Sequence, residues 1–541
     1  MSDFRRSFID RVVSAFSPAA GLARMHARAR LDASFGGGGR FGYNGGRRDR
    51  RSLKAWFPGQ GSADTDSLLD LPQLRGRSRD LGRNAPLAAG AVSTTAIGVV
   101  GDGLQLEASI DSKALGLTPE QADAFEAEQE REWGVFCATA DFTRVQCMDE
   151  MQQLSLRSAL ESGDVFAVRR YRKDPGDVYG TKVQLLEADR VSNPKWAQDS
   201  DRVSGGVEFN ADGVPVAYHV SDKHPGARRI AGMKWERVPA WSEGGVRTVL
   251  HVYERLRPEQ SRGIPYLAVV VEHLQQLSTY STAEVDAAVV TSFITGVIQA
   301  PADDDASDPI VGEKDAGLAD NEVKLGAGAI ISTGPGETFT SFNPQRPNAN
   351  YDAFVKAFCR EVGVALELPV ELLLKSFTSS YSASRAALEM AWQAFRRRRS
   401  WFAGRFCQPL YEWMMEEAVA SGRLNRPGFF SDPVIRAAWC GAQWIGPQRQ
   451  SLSPYQEAQA DALDIATGVK SREQVCMERT GGDFDKKNEQ LGKEQAARKA
   501  AGLGAPAPTA PAGSADRVDE DPDETDDTSD DETEPQRSNA P

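Results

Sequence analysis

Between residues 68 and 98 apolar side chains recur broadly as a helix face requires: Leu71, Leu74, Leu81, Leu87, Val92 and Ile97. That spacing predicts amphipathic helix. Pro86, after Asn84-Ala85, predicts a second helix starting there, since an N–H at the first helical position has no partner to lose. Another helix is predicted from Pro119 to about Val135, capped by Thr118. From 160 to 262 the period changes. VFAVRRY, KVQLLEA, GVEFN, VPVAYHV and VLHVYE are short runs rich in Val and aromatics between Gly, Pro, Asp and Asn, the signature of consecutive strands. Asp212-Gly213 predicts a two-residue hairpin turn between the third and fourth.

From Ile264 to about Ile298 the helical period returns, with Leu267, Val271, Leu274, Leu277, Val285, Val289 and Phe293 on one face and Pro265 at its start. A helix of that span is roughly 50 Å long. Residues 299–347 are polar and turn-rich, with nine acidic and three basic residues. Helix is predicted again over Tyr351–Val362 and about Ser382–Val419, either side of the loop LELPVELLLKSFTSSYS, with Ser382 or Ser384 as cap for the second. A helical segment follows Pro447 to about Gly502.

Charge sharpens the ends of this picture. The net charge is −14, yet residues 1–54 hold twelve Arg/Lys against four Asp/Glu, and residues 516–541 hold twelve Asp/Glu against two Arg. The first segment reads as a short amphipathic helix and a mobile basic arm, the last as a disordered acidic tail. The six cysteines form no C-x-x-C pair, and the start has charges where a signal peptide needs an apolar core, so synthesis in a reducing cytoplasm is expected. No apolar run is long enough to predict a membrane span.

Chemistry is sparse. P-loop, H-E-x-x-H and G-x-S-x-G patterns are absent from the sequence. Gly37, Gly39 and Gly42 spell G-x-G-x-x-G without a preceding strand, so no dinucleotide site is predicted. His219 and His251 fall in strand patterns and His273 in the long helix, where structural roles are expected. Asp303, Asp304 and Asp305 suit a solvated loop better than a cation site. No cofactor, metal or catalytic residue is predicted, and the chain is not expected to be an enzyme.

Seven blocks, in order, carry a resemblance: LRGRSRDLGRNAPLAAGAV (74–92), ESGDVFAV (161–168), VQLLEADRVSNP (183–194), GVEFNADGVPVAYHV (206–220), RPEQSRGIPYLAVVVEHLQQLSTYSTAEVDAA (257–288), GPGETFTSFNPQRP (334–347) and LPVELLLKSFTSSYSASRAALEMAW (368–392). Together the chain resembles the lambda-type family of phage portal proteins over roughly residues 40–490. The resemblance implies an α+β portal fold: a β-rich and helical wing, long stem helices, a small clip, a helical crown and disordered termini. By order and pattern, 1–65 is the basic arm, 66–262 the wing, 263–298 the first stem helix and 299–347 the clip. The second stem helix is then 348–365, the tunnel loop 366–381, the long helix and wing return 382–445, the crown 446–500 and the acidic tail 501–541.

The implied function is a ring, expected to be dodecameric, at the capsid portal vertex of the virion, through which double-stranded DNA is packaged and ejected without sequence preference. Its implied partners are the terminase large subunit, head-completion and connector proteins, and major capsid and scaffold proteins, with no membrane. Assembly is expected in the bacterial host cytoplasm, with ATP hydrolysed by another protein. Lys375, then Lys356 and Arg360, are candidates for phosphate contact in the channel, against ordinary solvated or ion-paired side chains. Arg396, Arg397, Arg398 and Arg399 span a full helical turn, so one must face the core or a neighbour; intersubunit salt bridges are favoured. Asp303, Asp304, Asp305 and Asp308 are candidates for docking motor or connector. The alternatives are another head–tail adaptor or capsid structural protein, and then a nucleic-acid-processing enzyme.

Overall fold

The computed structural model describes residue 20 and residues 51–53, 55–228, 230–298, 329–332, 350–377, 380–448, 454–480 and 484–502. The chain divides into two units, up to residue 452 and from residue 453 on. In the first, α1 (Ala63–Ser67) leads to α2 (Leu71–Asn84) and α3 (Pro86–Val99). The break falls at Ala85, which Pro86 forces out of helical geometry into extended backbone. Strand β1 (Gln105–Ala108) and the single turn α4 (Ser112–Leu115) precede α5 (Pro119–Cys137) and α6 (Met148–Ser162). Thr118 does cap α5, through a reciprocal capping box with Gln121.

The predicted strands form two antiparallel sheets. In one, β2 (Asp164–Tyr171) lies between β3 (Thr181–Glu187) and β8 (Val249–Tyr253). The other runs β4 (Val203–Ser204), β5 (Val207–Phe209), β6 (Pro215–Ser221), β7 (Trp235–Pro239). Because successive side chains on a strand alternate faces, β2 is buried on both sides. Val165 and Ala167 join the main helical core, while Phe166 and Val168 face a second core with Val207, Tyr218, Val220 and Val238. The β5–β6 hairpin exists, but its connection is not a two-residue turn. Asn210 accepts the N–H groups of Asp212 and Val214 on its side chain, which widens the loop to residues 210–214, with Gly213 at φ +75°.

The long helix needs the largest correction. It does not start at Pro265: a 3-10 turn over Ala268–Val270 comes first, and the α-helix α7 is Val271–Phe293, about 35 Å long. The β-branched run after it becomes strand β9 (Ile294–Ile298), paired in parallel with β10 (Ala329–Ser332) inside the insert read as turn-rich. α8 (Tyr351–Ala365) follows, and the predicted loop contains one helical stretch, α9 (Val370–Leu374). The next helix, α10 (Tyr381–Phe402), has Ser380 rather than Ser382 or Ser384 at its N-cap, and Ser384 is buried within it. A π-turn at Ala403–Cys407 joins it to α11 (Gln408–Ala420), where the wider turn accommodates Pro409, which has no N–H to give. Helix α12 (Pro433–Trp439) and β11 (Ala442–Ile445), which pairs with β1, close the unit. The second unit comprises helices α13 (Pro454–Ala466), α14 (Arg472–Thr480) and α15 (Phe484–Ala500), with Lys470 paired to Glu478 at 2.7 Å.

The basic arm up to residue 50 and the acidic tail lie outside the described residues, Ala20 and Ala501-Gly502 apart. So does the G-x-G-x-x-G run.

Candidate functional site

Four distant stretches of sequence meet at Asp164, the first residue of β2, whose carboxylate is fully buried. A buried carboxylate is tolerated only when paired and hydrogen-bonded. Arg75 of α2 donates to it at 2.9 Å, Arg262 at 2.6 and 3.2 Å, and the Gly263 N–H at 3.2 Å. His251 of β8 sits 3.2 Å away through Nε2, its ring stacked between Phe166 and Tyr253. The arginines are saturated in turn. Arg75 donates to the Ser162 carbonyl and to Asp189; Arg262 donates to the carbonyls of Ala188, Val191 and Gly205 and stacks over Phe166. Directly behind, Gly163 and Gly263 bring their backbones into contact. This node ties α2, the α6–β2 junction, the turn after β3 and the segment leading to α7 into one piece.

Burial opposes the charge on Asp164, but Arg262 and Arg75 overcome it and hold the carboxyl well below the usual range. Burial also lowers His251, to about 4, against the pull of Asp164. The unfolded chain therefore takes up a proton at His251 near pH 6.5 that the folded chain refuses until about pH 4. Stability falls as pH drops through that window, by up to about 1.4 kcal/mol per pH unit. Below it, protonation of Asp164 removes more. Unfolding midpoints followed from pH 7.5 to 4 are expected to show the slope, and His251→Phe, which keeps the stacking, to flatten it.

A second junction fixes the foot of two helices. Tyr266 donates its hydroxyl to the Leu366 carbonyl at the end of α8, and Arg398 lies over the Tyr266 ring at 4.7 Å. Glu367, in left-handed backbone at φ +56°, receives Arg397 at 2.9 Å and Arg398 at 3.0 Å. The loop folds back so closely that a Cβ on Gly363 would lie 2.5 Å from the Leu368 carbonyl oxygen.

From this foot α7 and α8 run antiparallel. His273 faces Phe358 at 5.8 Å, and Tyr280 stacks on Tyr351 at 5.7 Å, with Tyr351 donating its hydroxyl to Ser281 Oγ at 3.1 Å. Leu267, Val270, Leu274, Cys359 and Val362 root the pair in the main core. Beyond the Tyr280–Tyr351 stack, Ser281–Phe293 extends about 20 Å further, leaving Val285 and Val289 exposed.

The residues singled out from sequence are placed as follows. Lys356 and Arg360 share one exposed stripe of α8, one helical turn apart. Lys356 pairs with Asp352 at 2.7 Å, whereas Arg360 has no ion pair among the described residues. Lys375 ends α9, exposed, at φ +53°. The hairpin and the loop thus bring Lys356, Arg360 and Lys375 onto neighbouring elements without joining them in one cluster. Of the four arginines, Arg398 is the one facing inward, 6% exposed. Arg399 donates to the carbonyls of Gly98, Val99 and Pro447, and Arg397 pairs with Glu367, so three of the four are engaged within their own chain. Arg396 remains exposed. Asp303, Asp304, Asp305 and Asp308 lie outside the described residues. Among the described residues no group of His, Cys, Asp and Glu is arranged to hold a metal, and no helix is long and apolar enough to cross a membrane.

Sequence reasoning missed the Asp164 node because its partners stand 87 to 99 positions away. The only signal was indirect: Arg75, Gly163-Asp164, Ala188-Asp189 and Arg262-Gly263 each lie inside a different one of the blocks that carry the resemblance.

Comparison with known proteins agrees with those blocks. Residues 49–399 match the family model described as phage portal protein, lambda family. Portal protein B of Escherichia phage lambda is 27% identical over 491 residues, covering 86% of this chain and 91% of that protein. The portal protein of Escherichia phage N15 is 27% identical over 498 residues, covering 87% and 91%. Among solved structures, the neck of a native gene transfer agent particle is similar at 15% identity and a TM-score of 0.38, over 75% of this chain and 92% of that one.

Proposed function

The chain belongs to the lambda family of phage portal proteins, and from that premise we propose that it forms the ring at one capsid vertex through which double-stranded DNA is packaged and later ejected. The observation that carries this reading is the antiparallel pair α7–α8, rooted in the core at one end and joined at the other through the acidic segment 299–347. Long paired helices suit a tube wall, and a head-to-tail arrangement about a rotation axis closes a ring. Val285 and Val289 on α7, and Phe354 and Val364 on α8, are exposed in the single chain, and a neighbouring subunit would cover them. We take twelve subunits as the working number.

In this reading residues 66–262 are wing, α7 and α8 are the stem, 299–347 is the clip, 366–381 the tunnel loop and 446–500 the crown. DNA must slide, so the channel needs few phosphate contacts and no base readout. Lys375 and Arg360 are the first choices for such rings of charge; Lys356 is a weaker one, because Asp352 already neutralises it. Arg396 is left as the arginine available to a neighbouring subunit, the other three being committed at home. The terminase large subunit, and later head-completion and connector proteins, would dock on the clip, while major capsid and scaffold proteins would hold the wing. An adaptor is less favoured, because the similarity spans 91% of the lambda portal protein.

The clip assignment has a direct test. Replacing Asp303, Asp304, Asp305 and Asp308 together by Ala is expected to leave assembly intact and to lower motor binding and DNA-filled heads at least about tenfold, since charged interface groups steer and register docking. Filled heads at the wild-type level would remove these residues from the docking surface.

A further inference from the structure

An apolar groove lies apart from the hairpin and the Asp164 node. Leu115, Leu117, Phe125, Pro427, Ile435 and Trp439 line it, and its volume is about 380 Å³. Its floor is built from rings: Phe125 and Trp439 meet edge to face at 5.3 Å, and Arg426, stacked on both, pairs with Glu128 and donates to the Phe125 carbonyl through its terminal nitrogens. Next in sequence to the lining residues of this loop and helix, Phe430 is 60% and Val434 68% exposed. Exposed charge on the lining elements includes Glu120, Asp123 and Asp432 against Lys113 and Arg131, with Arg436 half-buried. An exposed apolar cleft of this kind marks a docking surface.

The same chain has a segment of matching chemistry outside the described residues. Phe4, Phe8, Val12 and Phe16 recur every four positions, with Arg5, Arg6 and Arg11 between them. Helical spacing puts those four apolar groups on one stripe, which needs a surface to cover it. We propose that the segment Phe4–Phe16 seats this stripe in the groove, its arginines toward Glu120, Asp123 and Asp432. Some 35 residues of Gly/Arg-rich sequence, Ser17 to Arg51, separate the segment from the described body, and a flexible chain of that length would span about 30–35 Å on average. A tethered ligand is present at an effective concentration in the millimolar range, so even a shallow groove is occupied. The inference does not depend on the ring.

The test uses the full-length protein with a benzophenone amino acid in place of Phe8. Photocross-links are expected within Leu115–Phe125 and Pro427–Trp439, and Val434→Glu, next to the lining residue Ile435, should reduce them about tenfold, the effect of losing one buried valine contact. Mixing isotope-labelled and unlabelled chains tells a subunit's own groove from a neighbour's; either supports the proposal. Cross-links scattered elsewhere, none at all, or groove cross-links indifferent to Val434→Glu would overturn it.

Discussion

Asp164→Asn is expected to destabilise the first unit by roughly 3–5 kcal/mol, the usual effect of removing one partner from a buried ion pair. The amide keeps the shape of the carboxylate but removes its charge, so Arg75 and Arg262 lose their shared counter-ion. Arg75 retains Asp189, and Arg262 retains three carbonyls, yet among the described residues Arg262 pairs with no other carboxylate. The Asn NH2 group would also face donors where an acceptor is needed. Since whole domains are stable by only about 5–15 kcal/mol, soluble yield should fall sharply, and chemical denaturation of whatever remains soluble should give an earlier midpoint. Wild-type stability in Asp164→Asn would mean that the node does not hold the sheet to the helices.

Gly263→Ala is expected to be at least as damaging, for a reason independent of charge. A Cβ there would lie 2.5 Å from the Gly163 carbonyl carbon and 2.8 Å from the Tyr253 Cβ. The first neighbour is backbone and cannot swing aside, and Gly163, at φ +89°, occupies a conformation other residues seldom adopt. The chain must separate strand β2 from the segment feeding α7, which also pulls the Gly263 N–H from Asp164. Gly90→Ala, on α3 with open space around its Cβ position, is the control and should be silent or mildly stabilising. Equal loss of soluble protein in both variants would show that the effect is general rather than seated at the contact.

Much of the helical architecture was legible because period and punctuation agree: Pro86 splits α2 from α3, and Thr118 starts α5. The end of the long helix was not, because Ile294, Val297 and Ile298 continue an apolar run that fits either period. Only β10, more than thirty residues on, decides for strand. The hairpin loop was misjudged for a similar reason, since the side chain of Asn210 competes for the turn amides. Among the arginines, helix geometry required one to point inward, but identifying it as Arg398 took Tyr266 and Glu367, from elsewhere in the chain. Nothing in the local pattern set Asp164 apart, because every partner that gives it a role comes from elsewhere in the chain. The blocks hold residues of the framework that positions the hairpin, such as Arg75, Asp164 and Arg262, and they carried a family resemblance without any catalytic motif.

Whether this chain closes into a ring around a DNA-sized hole can be seen by negative-stain electron microscopy of the purified full-length protein. Rings with a central channel and about twelve-fold symmetry are expected. Monodisperse small particles, at micromolar concentrations that permit assembly, would contradict ring closure.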